Sequence, residues 1–505
     1  MKIKLMGLLM PIFIFVACED EFLEKTNYNG MNSDNFMQYE SQAIEAIAAT
    51  YDPLTYQGLY NFSFLVLGEI PTDNMLNDWG DGRYGPDMVS LHNFNWTASN
   101  QYFVLRWNSC YKGIGRANYV LENLDKVEEI SEASYNQIKG EAHFLRGLYY
   151  FNLVSGFGDV PLVTSLLSPD ESNNISNSPA SEIWAQIDND LVQASSLLSA
   201  SYSSSADLGR ATKGAAYGLL SRVRLWTKDY PGAESAANSA ESLGYGLVSK
   251  DNFIQMFDGR MENSFESLFE VQLIPGFGAY FNKEKAETSL LMHMFPRVSW
   301  GRYFNPRKTL NYDVVDFFEA GDMRRQSSIL IAGTDSIFYV GANKMSVFPD
   351  LGIHTDFRVD LRTPGAYQTR KFLPYDTDNW RRGGKFFNYG ASINIPVVRL
   401  AEVILNKAEA LVEQGKLGEA FNELERIRTR AGLDMTGISQ GDQSALREQI
   451  KKDRRVELIF EGHRWGDLKR WGELSNLSLA GLNYSGQVDW PIPSQEIDIN
   501  PNLGN

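Results

Sequence analysis

Apolar positions recur at spacings of three and four residues in two separate parts of the chain, and this spacing predicts amphipathic helices. The helices predicted in this way cover 106–126, 135–155, 213–227, 233–243, 400–413 and 417–430. Another helix is predicted over 35–51, where Ile44 and Ile47 share one face. Ser181 is a candidate N-cap for a further helix, because a serine hydroxyl accepts hydrogen bonds from the first free backbone N–H groups.

Two pairs of these helices have the same form. Each pair begins with an alanine-rich helix, continues through a short polar turn and ends with a second helix whose first residues are small. One pair covers 213–243 and the other covers 400–430. Small side chains at helix contacts let two backbones approach closely, which is how tetratricopeptide units stack. Because the spacing between the copies is irregular, we predict a helical scaffold and not a regular solenoid.

A large insertion, 261–395, interrupts the helical pattern. It contains the short β-prone pieces LFEVQL, SIFYV and KFFNYG, and one helical pattern, YDVVDFFEA. The turn GDMRR that follows, with Asp322, Arg324 and Arg325, is interpreted as structural. The predicted fold class is therefore mainly α, with tetratricopeptide-like helix pairs as the scaffold and a loop-rich insertion that contains short β pieces.

The charged segment 452–472, KDRRVELIFEGHRWGDLKRWG, concentrates ionisable side chains, and Gly462 is predicted to separate its two helical pieces. Its eight central charges are Arg454, Arg455, Arg464 and Arg470 with Asp453, Glu457, Glu461 and Asp467. An active site and a buried ion network are the two interpretations. A core-facing stripe of Val456, Ile459 and Phe460 favours the network, in which buried charges must compensate one another.

Glycine-punctuated loops between 65 and 105 combine amides, carboxylates and tryptophan. A sugar site needs this composition, because pyranose faces stack on aromatic rings while the hydroxyl groups require polar partners. Trp79 and Trp96 are interpreted either as binding platforms or as core residues, whereas Trp107 and Cys110 are predicted to lie in the core. The candidate ligand-binding residues, including aromatic ones of the insertion, are Asp73, Asn74, Trp79, Arg83, Trp96, Tyr280, Trp300, Tyr303 and Trp380.

The first 17 residues combine two lysines with an apolar run that ends in a small residue, and Cys18 follows. This pattern predicts a secretory signal that ends at a lipidated cysteine, with an uncleaved membrane anchor as the alternative. The net charge of −16, from 47 basic and 63 acidic residues, disfavours nucleic acid as a partner. The five histidines lack the helical spacing of a zinc protease, and we predict no metal and no cofactor.

Six stretches, in one order along nearly the whole chain, carry a family resemblance. They are FLEK behind Cys18, EAHFLRGLYYFNLVSGFGDVPLV, RATKGAAYGLLSRVRLW, RLAEVILNKAEALVEQGKLGEAFNELERIRTRAGL, RRVELIFEGHRWGDLKRWG and DWPIPSQEIDINPNL. With these stretches the chain resembles the SusD/RagB family of outer-membrane nutrient-binding lipoproteins of Bacteroidetes.

The resemblance implies a lipid-anchored protein of the outer cell surface with four tetratricopeptide-like helix pairs. It would lie as a lid on a SusC-like TonB-dependent outer-membrane transporter and capture an oligosaccharide, or alternatively a peptide, without catalysis. Ligand contacts are implied in the loops after the first helix, near Asp73, Arg83 and Trp96, and in the insertion, near Trp300 and Tyr303. A glycoside hydrolase is the rival class. It would need two carboxyl groups about 5 Å or about 6.5–9.5 Å apart.

The expected organisation is one SusD-like unit over 18–505. Its parts, in chain order, are a signal peptide over 1–17, a lipid-anchored tether over 18–40, a helical scaffold over 41–260 with binding loops at 65–105, the insertion over 261–395, and a C-terminal helical scaffold with its tail over 396–505.

Overall fold

The predicted helical scaffold and the short strands are both present in a computed structural model of the chain. It describes residues 36–76, 85–273, 284, 305–306, 308–309, 312–331, 334–339, 344–347, 367–373 and 393–504. The helices are α1 (Glu40–Tyr51), α2 (Ser63–Glu69), α3 (Pro86–His92), α4 (Gln101–Asn123), α5 (Glu132–Phe157), α6 (Pro169–Ser172), α7 (Ala180–Leu197), α8 (Lys213–Trp226), α9 (Tyr230–Glu241), α10 (Met323–Ser328), α11 (Leu400–Glu413), α12 (Leu417–Ala431), α13 (Gln443–Glu457), α14 (Arg464–Trp471) and α15 (Ser494–Ile499). The mainly α fold class is thereby confirmed.

The long helices pack against one another in sequence, α4 on α5, α5 on α7, α7 on α8 and α8 on α9. Helix α9 then packs on α11, and α11 packs on α12 and α13, so the helices on the two sides of the insertion form one scaffold. Small residues fill these contacts, as predicted. Ala233 of α9, for example, shares an apolar cluster with Leu225 of α8 and Ala410 of α11.

The predicted N-cap of α7 is wrong. The helix begins one residue before Ser181, at Ala180, and Pro179 occupies the N-cap position. The side chain of Asp159 supplies the missing acceptor, since its Oδ1 atom accepts a hydrogen bond of 2.7 Å from the Ala180 N–H. A capping acceptor that comes from a distant loop leaves no local pattern in the sequence.

Two further local predictions are corrected. Ile44 of α1 is 44% exposed, and the buried face of that helix is formed by Ala43, Ala46, Ile47 and Thr50. The helix predicted for YDVVDFFEA is a two-residue strand followed by a single 3₁₀ turn, Val314–Phe317. Asp313 favours this turn because its Oδ1 atom accepts a hydrogen bond of 2.9 Å from the Val315 N–H.

The described strands are short and form two-stranded antiparallel sheets. They are β1 (Met75–Leu76), β2 (Ser267–Val271), β3 (Asn305–Pro306), β4 (Lys308–Thr309), β5 (Tyr312–Asp313), β6 (Ile329–Ile331), β7 (Ser336–Tyr339), β8 (Lys344–Val347), β9 (Tyr367–Thr369) and β10 (Ile395–Arg399). The pair β2–β10 joins the two ends of the insertion directly in front of α11. Strands β2 and β7 confirm the β character of LFEVQL and SIFYV, whereas KFFNYG lies outside the described residues.

In the charged segment 452–472, α13 ends at Glu457 and α14 begins at Arg464, which confirms the predicted break around Gly462. Gly462 has a positive φ of 83°, a conformation that glycine adopts without strain. A Cβ atom on Gly68 of α2 would lie 2.3 Å from the Gly462 carbonyl oxygen. The two glycines therefore allow α2 to touch the connection between α13 and α14.

A buried ion network surrounds the end of α13. At its centre Arg399 is 2% exposed, and its Nη1 atom donates to Glu457 at 2.7 Å and to Glu266 at 3.0 Å. Its Nε atom donates to Glu461 at 2.7 Å. This ion network comprises Glu266, Asp322, Arg324, Lys371, Arg399, Arg430, Asp453, Glu457 and Glu461.

The charges of this network compensate one another. Burial alone would raise the pKa of Glu461, but Arg399 and Lys371 hold that pKa below its ordinary value. Arg324 donates to Asp322 at 2.7 Å and to Asp453 at 2.8 Å, so the turn GDMRR is structural, as interpreted from the sequence. The geometry favours the ion-network interpretation of the charged segment over an active site.

Candidate ligand-binding site

The first predicted binding loop is anchored to the charged segment at its base. Asp73 receives a bidentate pair of hydrogen bonds from Arg464, with Nε at 2.7 Å and Nη2 at 2.8 Å. The neighbouring Asn74 accepts from Arg455 Nε at 2.9 Å and donates to Glu69 at 2.9 Å. Asp73 and Asn74 are buried, so the described geometry gives them a positioning role. Their direct contact with a ligand stays a prediction.

Trp96 is half-buried at the rim of the main core. Its ring lies 5.3 Å from that of Phe94, and it meets Phe103 and Trp465 edge-on with centroids 6.1 Å apart in both cases. These contacts fix the orientation of the indole. The structure therefore combines the two interpretations of Trp96, a core contact on one side and an exposed remainder on the other, while ligand contact stays a prediction. Trp107, by contrast, is buried, as predicted.

The two regions predicted to contact the ligand meet at the strand pair β1–β3. Leu76 pairs with Asn305 and Met75 with Pro306 in antiparallel register. The predicted residues Trp79 and Arg83 follow Leu76 in the sequence. The predicted residues Trp300 and Tyr303 precede Asn305. The predicted residues Trp79, Arg83, Tyr280, Trp300, Tyr303 and Trp380, and the predicted lipidation site Cys18, lie outside the described residues.

Glu69 links this loop base to the charged segment and predicts a pH-dependent stability. Burial raises the pKa of Glu69 to about 7, although hydrogen bonds from Asn74 and from the Gly462 N–H oppose the rise. Protonated Glu69 thus favours the folded state. This contribution is complete below the unfolded pKa near 4.5 and is lost as the pH rises through about 7.

We expect Glu69→Gln to remove about 2–3 kcal/mol of pH dependence between pH 5 and pH 8. Urea denaturation of the wild-type protein and the variant at several pH values measures this difference. Parallel stability curves for the two proteins over that range would contradict the assignment.

The sequence did not reveal a surface cleft of about 320 Å³ between the connection of α7 to α8 and strand β2. Two apolar side chains at this cleft are strongly exposed, Leu208 at 60% and Phe265 at 58%. Tyr202 and Tyr245 also line it. The sequence signal is one large apolar residue in each of two polar loops, SSADLG and ENSFES, which is too common to define a site.

Cys110 confirms its predicted place in the core, since it is fully buried and burial raises the pKa of its thiol to about 12. Within the described part of the chain, no group of three or more His, Cys, Asp or Glu side chains is placed to hold a metal ion. In the same part, no helix is both long and apolar enough to cross a membrane.

The helix pairs and the ion network define a class of protein with a helical scaffold, and the strand pair β1–β3 joins the bases of the two regions predicted to bind a ligand. Comparisons with known proteins identify the family within this class. A family model described as "Starch-binding associating with outer membrane" matches residues 15–225, and the model of the "SusD family" matches residues 281–488. The chain belongs to the SusD/RagB family.

Individual relatives cover almost the whole chain. A SusD-like protein of Formosa agariphila is 24% identical, and the match spans 99% of this chain and 98% of the relative. The starch-binding protein SusD of Bacteroides thetaiotaomicron is 23% identical over 88% of this chain and 85% of its own length. A solved structure of a laminarin-binding SusD-like protein is 26% identical, with a TM-score of 0.74 and coverage of 92% of this chain and 98% of that one.

Proposed function

We propose that this protein is a cell-surface glycan-binding lipoprotein. It captures an oligosaccharide on the loops that meet at β1–β3 and passes it to a SusC-like TonB-dependent outer-membrane transporter. Acylation of Cys18 anchors it to the outer membrane, and it does not cleave its ligand. Membership in the SusD/RagB family supports this role, as do the relatives named for starch and laminarin binding.

The pairing of β1 with β3 is the observation that carries the proposal. It ties the loop of Trp79 to the segment of Trp300 and Tyr303, although more than two hundred residues separate them in sequence. Trp79 follows Leu76 by three residues, and such a chain spans at most about 11 Å. Aromatic rings from two loops attached at one strand end supply the stacking surfaces that a glycan chain requires.

The anchored loop base gives this surface a fixed frame. Asp73, held by Arg464 and Arg455, lies two residues before β1, and the salt bridge to Arg455 measures 3.1 Å. A preorganised loop loses less conformational entropy when it binds, so a modest number of contacts is sufficient for useful affinity. A micromolar Kd corresponds to only about −8 kcal/mol.

A glycan array probed with the soluble protein that lacks residues 1–18 tests the function. We expect binding to one class of polysaccharide without release of shorter products, followed by a micromolar Kd in calorimetry with a matching oligosaccharide. Binding of peptides alone would support the alternative ligand class, and hydrolysis of the glycan would contradict the non-enzymatic role. Co-purification of the full-length protein with an outer-membrane barrel from its native envelope checks the transporter step.

A further inference from the structure

A cavity of about 90 Å³, partly open to solvent, lies where α2, α4, α5 and α14 meet. Three buried nitrogen donors belong to residues that line it, Arg106 Nε, Trp465 Nε1 and Trp490 Nε1. None of these three atoms has a hydrogen-bond partner among the described residues. Buried N–H groups are normally satisfied, so three unsatisfied donors on residues that line one cavity point to an acceptor bound there.

Arg106 lacks a partner for its positive charge as well as for its Nε–H donor. It is 4% exposed, and its hydrogen bond goes to the amide oxygen of Asn152. No carboxylate pairs with it in the described part of the chain. Burial lowers the pKa of Arg106, and the neighbours that counteract this shift are Cys110 and Tyr60, which are not carboxylic acids.

The other charged groups at the cavity are already compensated. Arg222 pairs with Glu402 at 2.5 Å, and Arg454 pairs with Asp467 at 2.9 Å. Glu461 belongs to the ion network, where Arg399 and Lys371 neutralise it. Burial lowers the pKa of the lining residue His463 to about 4, so its imidazole is neutral at physiological pH. Among the described residues that line the cavity, Arg106 is the charged side chain that has no oppositely charged partner.

We propose that this cavity binds a monovalent inorganic anion, with chloride as the physiological occupant, held by Arg106, Trp465 and Trp490. Water would satisfy the donors but would leave the buried charge unpaired, which is costly. A divalent anion beside the single positive charge of Arg106 would leave one net negative charge buried. The volume exceeds the roughly 10–15 Å³ that a single water needs, so an ion and neighbouring waters fit.

Thermal unfolding of the soluble chain in sodium chloride and in sodium gluconate at equal ionic strength tests the site. Because a ligand of the folded state stabilises by mass action, we expect Tm to rise with chloride by about 1–2 °C for each tenfold increase above its Kd. Crystals grown in bromide should show an anomalous peak in the cavity. Equal Tm values in the two salts together with a cavity that contains only water would overturn the proposal.

Two variants separate the site from a general salt effect. Arg106→Met removes the charge at similar length, and Trp490→Phe removes the indole N–H while a ring still packs on Gly156, where a Cβ would meet Trp490 at 2.1 Å. Each is expected to weaken chloride binding at least tenfold and to abolish the bromide peak or reduce it strongly. If Arg106→Met does not fold, Trp490→Phe alone decides. An unchanged chloride response in the folded variants would contradict the assignment of these donors.

Discussion

Replacement of Arg399 by methionine is expected to destabilise the protein by about 3–5 kcal/mol. The guanidinium is 2% exposed and bridges Glu266, Glu457 and Glu461, so its removal leaves buried carboxylates with incomplete compensation. Arg430 still contacts Glu266 and Glu457, and Lys371 still contacts Glu461, which keeps the loss within that range. Methionine fills a similar volume, and the effect therefore reports the lost charge more than a cavity.

Urea denaturation followed by circular dichroism measures this loss, and Arg426→Met is the matched control. The side chain of Arg426 also pairs with two glutamates, Glu241 and Glu423, but it is 41% exposed. Solvent-exposed pairs contribute about 0–1 kcal/mol, so the control should remain close to the wild-type stability. Similar losses of unfolding free energy in the two variants would show that burial does not determine how much the ion network contributes to stability.

The second large effect is expected at the proposed glycan surface. Trp300→Ala should weaken glycan binding at least tenfold, equivalent to about 1.4 kcal/mol, because an aromatic platform contributes both buried area and ring-specific contacts. The folding stability should change little if the ring serves the ligand. Calorimetry with the oligosaccharide found on the array, combined with thermal unfolding of the same samples, separates binding from stability.

Phe265→Ala is the matched control for this variant. Phe265 is an aromatic side chain with 58% exposure, but it lies at the cleft beside β2 and not at the β1–β3 pair. We expect its removal to leave the Kd unchanged. A loss of binding in Phe265→Ala with normal binding in Trp300→Ala would move the ligand site to that cleft.

The helical scaffold was predictable because its signals are local. The spacing of apolar residues in α11 and α12 and the small residues at their contacts are properties of each segment, and the structure confirms both helices. The start of α7 was not predictable in the same way. Its cap comes from Asp159, which lies twenty-one residues before Ala180 and has no fixed sequence relation to it.

The ion network shows the same division between local and tertiary information. The density of charge in the charged segment correctly indicated a network, but the expected compensation within the segment is realised mainly at Asp467, which pairs with Arg454 and Arg470. Glu457 and Glu461 instead form salt bridges with Arg399, which lies in β10. Ion pairing follows spatial proximity, and the sequence does not state which distant arginine the fold brings near.

The candidate site was the least predictable part. Asp73 and Asn74 have the polar composition of ligand contacts, yet burial against Arg455 and Arg464 gives them a supporting role. Strands β1 and β3 contain two residues each, which is too short for any alternation of polar and apolar positions. Their pairing nevertheless supplies the link between the two predicted binding regions.

A crystal structure of the soluble protein in complex with its array-identified oligosaccharide would show where the glycan binds. The proposed function predicts sugar density against the loops that leave the β1–β3 pair, with at least one pyranose ring stacked on an aromatic side chain of those loops. Sugar bound at the cleft of Leu208 and Phe265, or elsewhere on the helical scaffold with the β1–β3 loops empty, would contradict it.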